Sequence, residues 1–420
     1  MNKLVLIPII ALLFLLIDWY VFQGIKFLIH SFSAPTQRFL KYTYWCITIL
    51  TLIAFLIYHF VNVDAYSKSA RMFLLVGVFI NYIAKLFFVV FLLIDDFVRL
   101  IRYIASLFSS ETTISEGISD HSSKISRSDF LVKTAAVAAV VPLVGMSWGI
   151  ISGAHDYRVR RIKLPLANLP KAFHGMKIVQ VSDIHSGSFW NKTAVMGGVE
   201  MLMNEKPDMV FFTGDIVNNR AEEMADWISV FSKVKAPHGV YSVFGNHDYG
   251  DYVAWDSPQQ KAKNLIDLAA MQKAMGWKLL MNENKIIEVN GEQIAVVGIE
   301  NWGAKARFPK YGKLSEAIKG TENIAIKLLL SHDPSHWQAE VLPLFPDISA
   351  MFSGHTHGMQ FGVDIPGIKW SPVQYVYDEW AGLYQQKGQY LYVNRGFGYI
   401  GYPGRIGMPP EITTIELVSA

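Results

Sequence analysis

The chain has 420 residues, more than one average domain needs. It is 51% apolar and only 17% charged, with a mean hydropathy of +0.25, which excludes a single ordinary soluble domain and points to lipid-embedded segments. A net charge of +3 is too small to argue for nucleic acid as a partner, and a single cysteine, Cys46, excludes an intrachain disulfide and any multi-cysteine zinc site.

Four apolar runs lie in the first 155 residues: Leu4 to Val21, Tyr44 to Val61, Met72 to Ile94, and an Ala/Val/Gly-rich run from about Leu131 to Ile151. Each is about long enough to cross a hydrocarbon core of about 30 Å as a helix. Trp19, Tyr20, Tyr44, Trp45 and Trp148 stand near their ends, where amphipathic rings favour the interface. The first run lacks a small-x-small cleavage site and continues into bulky aromatics, which weakens a signal-peptide reading. The expected organisation is three transmembrane helices in 1–110, a linker and a fourth, signal-like span in 111–155, and a globular domain in 156–420. Cys46, in an apolar stretch, is expected to be a buried inert thiol. Asn81 and Lys85 fall inside the third run. No second polar residue repeats on their face, so Lys85 is expected to snorkel or to pair within the bundle, with no transport pathway.

Orientation follows from Lys and Arg near the spans. Lys26, Arg38, Lys41, Arg99, Arg102, Lys124, Arg127 and Lys133 fall on one side, against Lys3, Lys68 and Arg71 on the other. The positive-inside rule puts the first group in the cytoplasm and the C-terminal domain on the outer side. Ser115 to Ser128 reads as a flexible linker. Its end, Ser126-Arg127-Ser128-Asp129-Phe130-Leu131, resembles a twin-arginine export signal with Ser128 in place of the second arginine.

From Ile162 the composition becomes that of a globular domain. Lys177 to Val181 reads as a buried strand stopping at Ser182-Asp183. Asp208 to Phe212 stops at Thr213-Gly214-Asp215, and Gly239 to Phe244 at Gly245-Asn246-His247-Asp248. Asp183, Asp215 and Asn246 are spaced by 32 and 31 residues, the length of a strand-helix-strand unit. Thr193 to Asn204 and Ala221 to Lys233 carry helical patterns. The plan repeats at Ala325 to Leu330, before Ser331-His332-Asp333, and at Ile348 to Phe352, before Ser353-Gly354-His355-Thr356-His357. Lys285 to Val289 and Gln293 to Ile299 predict a hairpin turning at Asn290-Gly291. Tyr390 to Asn394 and Glu411 to Leu417 predict closing strands. Strand-rich segments around helical crossovers imply a layered α/β sandwich with helices outside, and in such sheets a site forms beyond the carboxyl ends of the strands.

The strand-end residues are Asp183, His185, Asp215, Asn246, His247, His332, His355 and His357. Carboxylates, imidazoles and an amide oxygen suit divalent Mn, Fe or Zn. Two ions about 3.5–4 Å apart need a shared carboxylate, and Asp215 is central in the order. A hydroxide held between two cations is nucleophilic near neutral pH, and ester oxygens fill the remaining positions.

Asp183-Ile184-His185, Gly214-Asp215, Gly245-Asn246-His247-Asp248, His332 and Gly354-His355-Thr356-His357 resemble, in order, the five motifs of the calcineurin-like metallophosphoesterases. Any one is weak; five in sequence at strand ends are specific. The tail from Asn394-Arg395-Gly396-Phe397-Gly398 to Pro410-Glu411-Ile412-Thr413 is similar to the bacterial membrane-associated branch of the YkuE group. The resemblance implies a four-layer α/β/β/α sandwich behind a bundle of about four transmembrane helices. It implies that Asp183, His185, Asp215 and His357 hold one metal, and Asp215, Asn246, His332 and His355 a second. His247 would then be a non-ligand histidine that steadies the transition state or protonates the leaving oxygen, with Asp248 orienting it. One departure is visible: this branch usually carries two glycines before Gln, whereas here the run is Gly358-Met359-Gln360.

Other residues have plainer readings. His30, His59, His121, His155, His174, His238 and His336 follow no motif. Pro334 argues against a helical metal pair of His332 with His336. Arg395 and Arg405 fit either a phosphate clamp or structural ion pairs. Trp370, Tyr375, Tyr377, Trp380 and Tyr384 fit core packing or the path of an amphiphilic substrate. The expected function is a membrane-anchored, two-metal hydrolase of phosphodiester or pyrophosphate bonds, on a lipid-linked substrate such as UDP-diacylglucosamine or a cell-envelope phosphodiester. A phosphomonoesterase and a non-catalytic metal-binding scaffold are the alternatives. The expected location is a bacterial inner membrane.

Overall fold

The computed structural model describes residues 3–60, 68–108, 127–305 and 308–420. The chain divides into two compact units, Met1–Ser147 and Trp148–Ala420. Most of the linker from 115 onward, with Lys124 and His121, lies outside the described residues.

The first unit is helical: α1 (Lys3–Leu28), α2 (Ala34–Phe60), α3 (Lys68–Phe108) and most of α4 (Arg127–Ile151), whose last turn belongs to the second unit. All four are long and apolar enough to cross a membrane. The third run is the core of a longer helix, so Arg99 and Arg102 extend it rather than belonging to a loop. Cys46 is exposed on α2, not buried: the helix turns it away from its neighbours.

The bundle is more polar inside than its sequence implies. Asp18, fully buried on α1, forms an ion pair with Lys85 on α3. The same carboxylate accepts hydrogen bonds from Thr48 (2.7 Å), Tyr44 (2.9 Å) and Tyr82 (2.7 Å). Asn81 donates to Thr51 at 3.1 Å. Lys85 therefore does not snorkel: a carboxylate with three hydroxyl donors meets its charge where it stands, as lipid demands of a buried ion. Period 3.6 placed these residues on facing stripes of three helices, which no single run displays.

The second unit contains two mixed six-stranded sheets. In chain order the strands are β1 (Arg158–Leu166), β2 (Lys177–Val181), β3 (Met209–Phe212), β4 (Val240–Ser242), β5 (Lys278–Leu279), β6 (Glu283–Val289), β7 (Glu292–Gly298), β8 (Lys327–Leu330), β9 (Ala350–Ser353), β10 (Val363–Ile365), β11 (Ile368–Trp370), β12 (Gly382–Gln386), β13 (Gln389–Val393) and β14 (Glu411–Ser419). One sheet runs β1-β14-β2-β3-β4-β5, the other β12-β13-β9-β8-β7-β6, and β10 and β11 pair separately. β2, β3 and β4 are parallel, as are β7, β8 and β9. The predicted hairpin is β6–β7, with Asn290 and Gly291 both at positive φ (52° and 79°), the geometry a tight two-residue turn requires.

Alternation along each strand sorts its residues into layers. Ile178, Met209 and Phe211 face Leu328, Leu330 and Phe352 of the other sheet, where the rings of Phe211 and Phe352 meet edge-on at 5.2 Å. Val179, Val181, Val210 and Phe212 turn outward onto Val195, Val199 and Leu202 of α5 (Lys192–Asn204). Val297, Leu329 and Met351 turn outward onto Trp337 and Val341. The result is helix, sheet, sheet, helix. The helix expected over Ala221 to Lys233 is instead a short turn at Ala221–Met224 followed by α6 (Ile228–Phe231). Glu223 interrupts it by accepting the amides of Asn218, Asn219 and Arg220, which ties the turn to the loop before it.

Candidate metal centre

Five strands end at one rim of the sandwich. Asp183 and His185 follow β2, Asp215 follows β3, Asn246 and His247 follow β4, His332 follows β8, and His355 and His357 follow β9. The structure gathers all eight. Six are buried; His247 and His355 are half-buried. The chain bends sharply to deliver them. Asp183, His185, Asp215, His355 and His357 all adopt left-handed backbone, with φ of 53°, 49°, 61°, 72° and 53°. Such conformations cost about 1–3 kcal/mol each in a non-glycine residue and persist only where surrounding bonds hold them. Here they are held by, among others, the amide of Asp183 donating to Gly214 O (2.8 Å) and that of His185 donating to Asp215 O (3.1 Å). At Gly245 only glycine fits, because a Cβ would stand 2.2 Å from Asp215 Oδ1 and 2.7 Å from its backbone nitrogen.

The side chains form two groups able to hold a metal ion, Asp183–His185–His357 and Asp215–His332–His355. In the first, His357 Nε2 is 3.2 Å from Asp183 Oδ1 and 3.0 Å from His185 Nε2. In the second, His332 Nε2 is 3.1 Å from Asp215 Oδ2 and 3.2 Å from His355 Nδ1, which is 2.8 Å from Asn246 Oδ1. Asp215 Oδ2 also lies 3.6 Å from His185 Nε2, so this one carboxylate reaches both groups.

These residues fit a divalent cation in each group. With bonds of about 2.0–2.1 Å from nitrogen to metal, two adjacent ligand nitrogens stand about 3 Å apart, the spacing of both imidazole pairs. Outer partners fix which atom faces inward. His332 Nδ1 donates to the carbonyl of Thr213 at 2.7 Å, which leaves Nε2 for the site. His355 is reversed: its Nε2 meets the Tyr377 hydroxyl at 2.9 Å and Nδ1 faces inward. Asn246 donates from Nδ2 to the Tyr252 hydroxyl (2.9 Å), which turns its oxygen into the site.

The electrostatics match. Burial opposes charge on Asp183 and Asp215, yet the His357 ring beside the first and the His332 ring beside the second hold both carboxyls well below the usual carboxylate range. Burial would lower His332, but Asp215 drives it up to about 10. Burial holds His185 and His355 below the ordinary histidine value.

The expected orientation of His247 by Asp248 is not what the geometry provides. Asp248 is fully buried and accepts backbone amides from Asp215 (2.9 Å), Ile216 (2.9 Å), Val217 (3.3 Å) and Gly245 (2.8 Å). It braces the two loops that carry Asp215 and Asn246. Burial and the Asp215 charge push its carboxyl up to about 8, against the pull of the Gly245 and Val217 amides. The residue that orients His247 is Asn218, whose carbonyl oxygen lies 2.8 Å from Nδ1. No sequence pattern marks a main-chain acceptor. Tyr252 has no sequence signal, and Tyr377, read from sequence as packing or substrate path, has a different role for a related reason: each acts through a hydroxyl that folding brings to a ligand.

Arg395 bonds Glu411 at 2.6 Å and Asp364 at 3.0 Å, and Arg405 donates to the carbonyls of Arg395, Gly396 and Gly398. Both are buried braces. His336 bonds Ser331 Oγ at 3.0 Å and belongs to neither group. A cavity of about 680 Å³ opens over the centre. Asp215, Asn246, His247, His355 and His357 are among its polar lining; Phe308, Met359, Val373, Val376 and Ile400 give it an apolar wall, with Lys305 beside them. Met359 sits at φ 56° between Gly358 at 54° and Gln360 at 55°, in the backbone region where glycine is at ease.

A family model described as calcineurin-like phosphoesterase matches residues 176–359, which include every one of the eight residues above. A second, described as probable calcineurin-like phosphoesterase, transmembrane domain, matches residues 2–154. A transmembrane protein with metallophosphoesterase domain from Danio rerio is 28% identical over 297 residues, 69% of this chain and 63% of that one. The uncharacterized metallophosphoesterase YkuE of Bacillus subtilis is 28% identical over 304 residues, covering 70% and 99%. Phosphodiesterase YaeI of Escherichia coli is 29% identical over 302 residues, covering 70% and 100%. The chain thus spans less than two thirds of the length of the fish relative and nearly all of the two bacterial ones.

Proposed function

We propose that this chain, a member of the calcineurin-like phosphoesterase family with a transmembrane domain, hydrolyses a phosphodiester or pyrophosphate bond with the help of two divalent cations. The observation that carries this reading is the position of Asp215, whose Oδ2 lies 3.1 Å from His332 and 3.6 Å from His185 and so serves both donor groups. Cations bound there, Mn²⁺, Fe²⁺ or Zn²⁺ by donor chemistry, would offset phosphate charge and acidify water. Asp183, His185, Asp215 and His357 would hold one; Asp215, Asn246, His332 and His355 the other.

The chain's own residues do the rest. His247 keeps Nδ1 on the Asn218 carbonyl, which frees Nε2 to carry a proton toward a leaving oxygen. Asp248 fixes the amides of both loops, so the donors are already placed before substrate arrives. The apolar wall of Phe308, Met359, Val373 and Val376 supports a substrate whose phosphoester adjoins hydrocarbon, as in a lipid-linked pyrophosphate or an envelope phosphodiester. The excess of Lys and Arg around the first and third connections supports a domain on the outer, non-cytoplasmic face, which in a bacterium would be that of the inner membrane.

The test is a hydrolysis panel on the purified full chain: bis-p-nitrophenyl phosphate, lipid pyrophosphates and phosphomonoesters, each with Mn²⁺ or with chelator. Hydrolysis that needs metal and collapses in Asn246→Ala supports the reading. Hydrolysis indifferent to both would end it.

A further inference from the structure

The hairpin of β10 and β11 is built inside out. Its register sets Val363 opposite Trp370, Asp364 opposite Lys369 and Ile365 opposite Ile368. Directly opposed residues share a face, and faces alternate along a strand. One face therefore carries Val363, Ile365, Ile368 and Trp370, and the other Asp364 and Lys369. The polar face is the one turned to the domain: Asp364 is bonded by Arg160 and Arg395, and Lys369 donates to the carbonyl of Ala381. The apolar face looks outward, with Ile365 56% and Ile368 55% exposed. Pro366-Gly367 closes the tip, Gly367 at φ 84°.

A hairpin that spends its charges on the domain and points two isoleucines and a tryptophan at the surroundings is not stabilised by water. The chain also leads from this face to the cavity over the metal centre. Phe361 packs edge-on to Trp370 at 6.2 Å, and two residues before it Met359 lines the cavity. Exposed Tyr375 adds a second amphipathic ring, of the kind that settles at headgroup level. Residues 152–157 alone join α4, long and apolar enough to span a membrane, to β1, so the tether between them is short.

We propose that the β10–β11 hairpin is a membrane-surface anchor. Ile365 and Ile368 enter the boundary between headgroups and acyl chains, Trp370 lies at headgroup level, and the cavity mouth at Met359 is thereby held against the lipid surface. This deepens the phosphoesterase reading by specifying that substrate reaches the cavity from the bilayer rather than from solution.

The test uses the chain's single cysteine. In a Cys46→Ser background, Ile368→Cys is labelled with an environment-sensitive fluorophore in full-length protein in nanodiscs of brominated phosphatidylcholine. Leu93→Cys on α3 is the lipid-facing control and Lys263→Cys the water-facing one. Bromine quenching of the Ile368 probe to at least half that of the Leu93 probe is expected. Quenching no greater than at Lys263 overturns the proposal, including the case of a blue-shifted but unquenched probe, which would mean that protein covers the hairpin. A second arm compares Ile365→Gln/Ile368→Gln with the parent. At least a tenfold loss on a vesicle-borne phosphodiester, with bis-p-nitrophenyl phosphate turnover unchanged, is expected; an equal loss on both overturns it. The soluble ester tests the phosphoesterase reading separately, since lipid quenching does not depend on catalysis.

Discussion

The ring nitrogen Nδ1 of His247 stands 2.8 Å from the main-chain carbonyl oxygen of Asn218, while the neighbouring Asp248 points away into the loops. Adjacent residues in one motif therefore have separate tasks. His247 lines the cavity with its Nδ1 held on the main chain, and Asp248 braces the loops beside it.

His247→Gln should leave metal binding intact, since His247 belongs to neither donor group. Turnover should fall by about 10²–10⁴, the usual contribution of a positioned acid. Metal content by elemental analysis, set beside kcat on a soluble diester, checks this; a variant that loses its metals would show the histidine to be a ligand.

Above about pH 8, where the Asp248 carboxyl is ionised, Asp248→Asn keeps the shape but replaces one acceptor oxygen with a donor. At least one of the amides of Asp215, Ile216 and Gly245 then faces an N–H group in a buried place. A loss of about 1–3 kcal/mol is expected. Denaturant unfolding in detergent measures it, and a change within about 0.5 kcal/mol would assign the bracing elsewhere.

His332 is driven up to about 10 by Asp215 in the absence of cations. Its folded value lies above the ordinary 6.5, so in chelator its contribution to stability is complete below about pH 6.5 and is lost as pH rises toward 10. A cation entering at Asp215 must displace that proton, so apparent metal affinity should rise across the same window. Melting curves in chelator and metal titrations at pH 6.5, 8 and 9.5 should move in opposite directions. Parallel or flat responses contradict the assignment.

Met359 occupies left-handed backbone at φ 56° and lines the cavity. Met359→Gly relieves the backbone and removes part of the apolar wall, so folding should be retained. KM for a diester with a long hydrocarbon substituent should rise several-fold while kcat stays near the parent value. A matched rise for a short-chain diester would mean that the side chain makes no contact with hydrocarbon.

Lys85→Met leaves the fully buried Asp18 without its cation, and Asp18→Asn leaves Lys85 without its anion. Each should destabilise the helical unit by about 3–5 kcal/mol, whereas Asp18→Leu with Lys85→Met should recover most of that loss. Thermal unfolding in nanodiscs compares the three; additive losses in the double variant would show that the groups do not act as a pair.

Local order in the chain decided a great deal. Runs of apolar residues dictate four helices long enough for a bilayer, because an unpaired backbone cannot stay in lipid. Buried strands that stop at Asp183, Asp215, Asn246, His332 and His355 dictate a layered sheet with polar residues along one rim, because strand ends are where side chains leave the core. What folding alone decided were relationships between distant residues. Nothing near Lys85 announces Asp18, 67 positions away. Nothing in Asn246-His247-Asp248 indicates that a carbonyl 29 residues earlier orients the histidine, since every residue has a carbonyl and only geometry selects one. The hairpin face that looks outward was equally hidden: alternation separates two faces, but the partners Arg160, Arg395 and Ala381 choose which of them meets the domain.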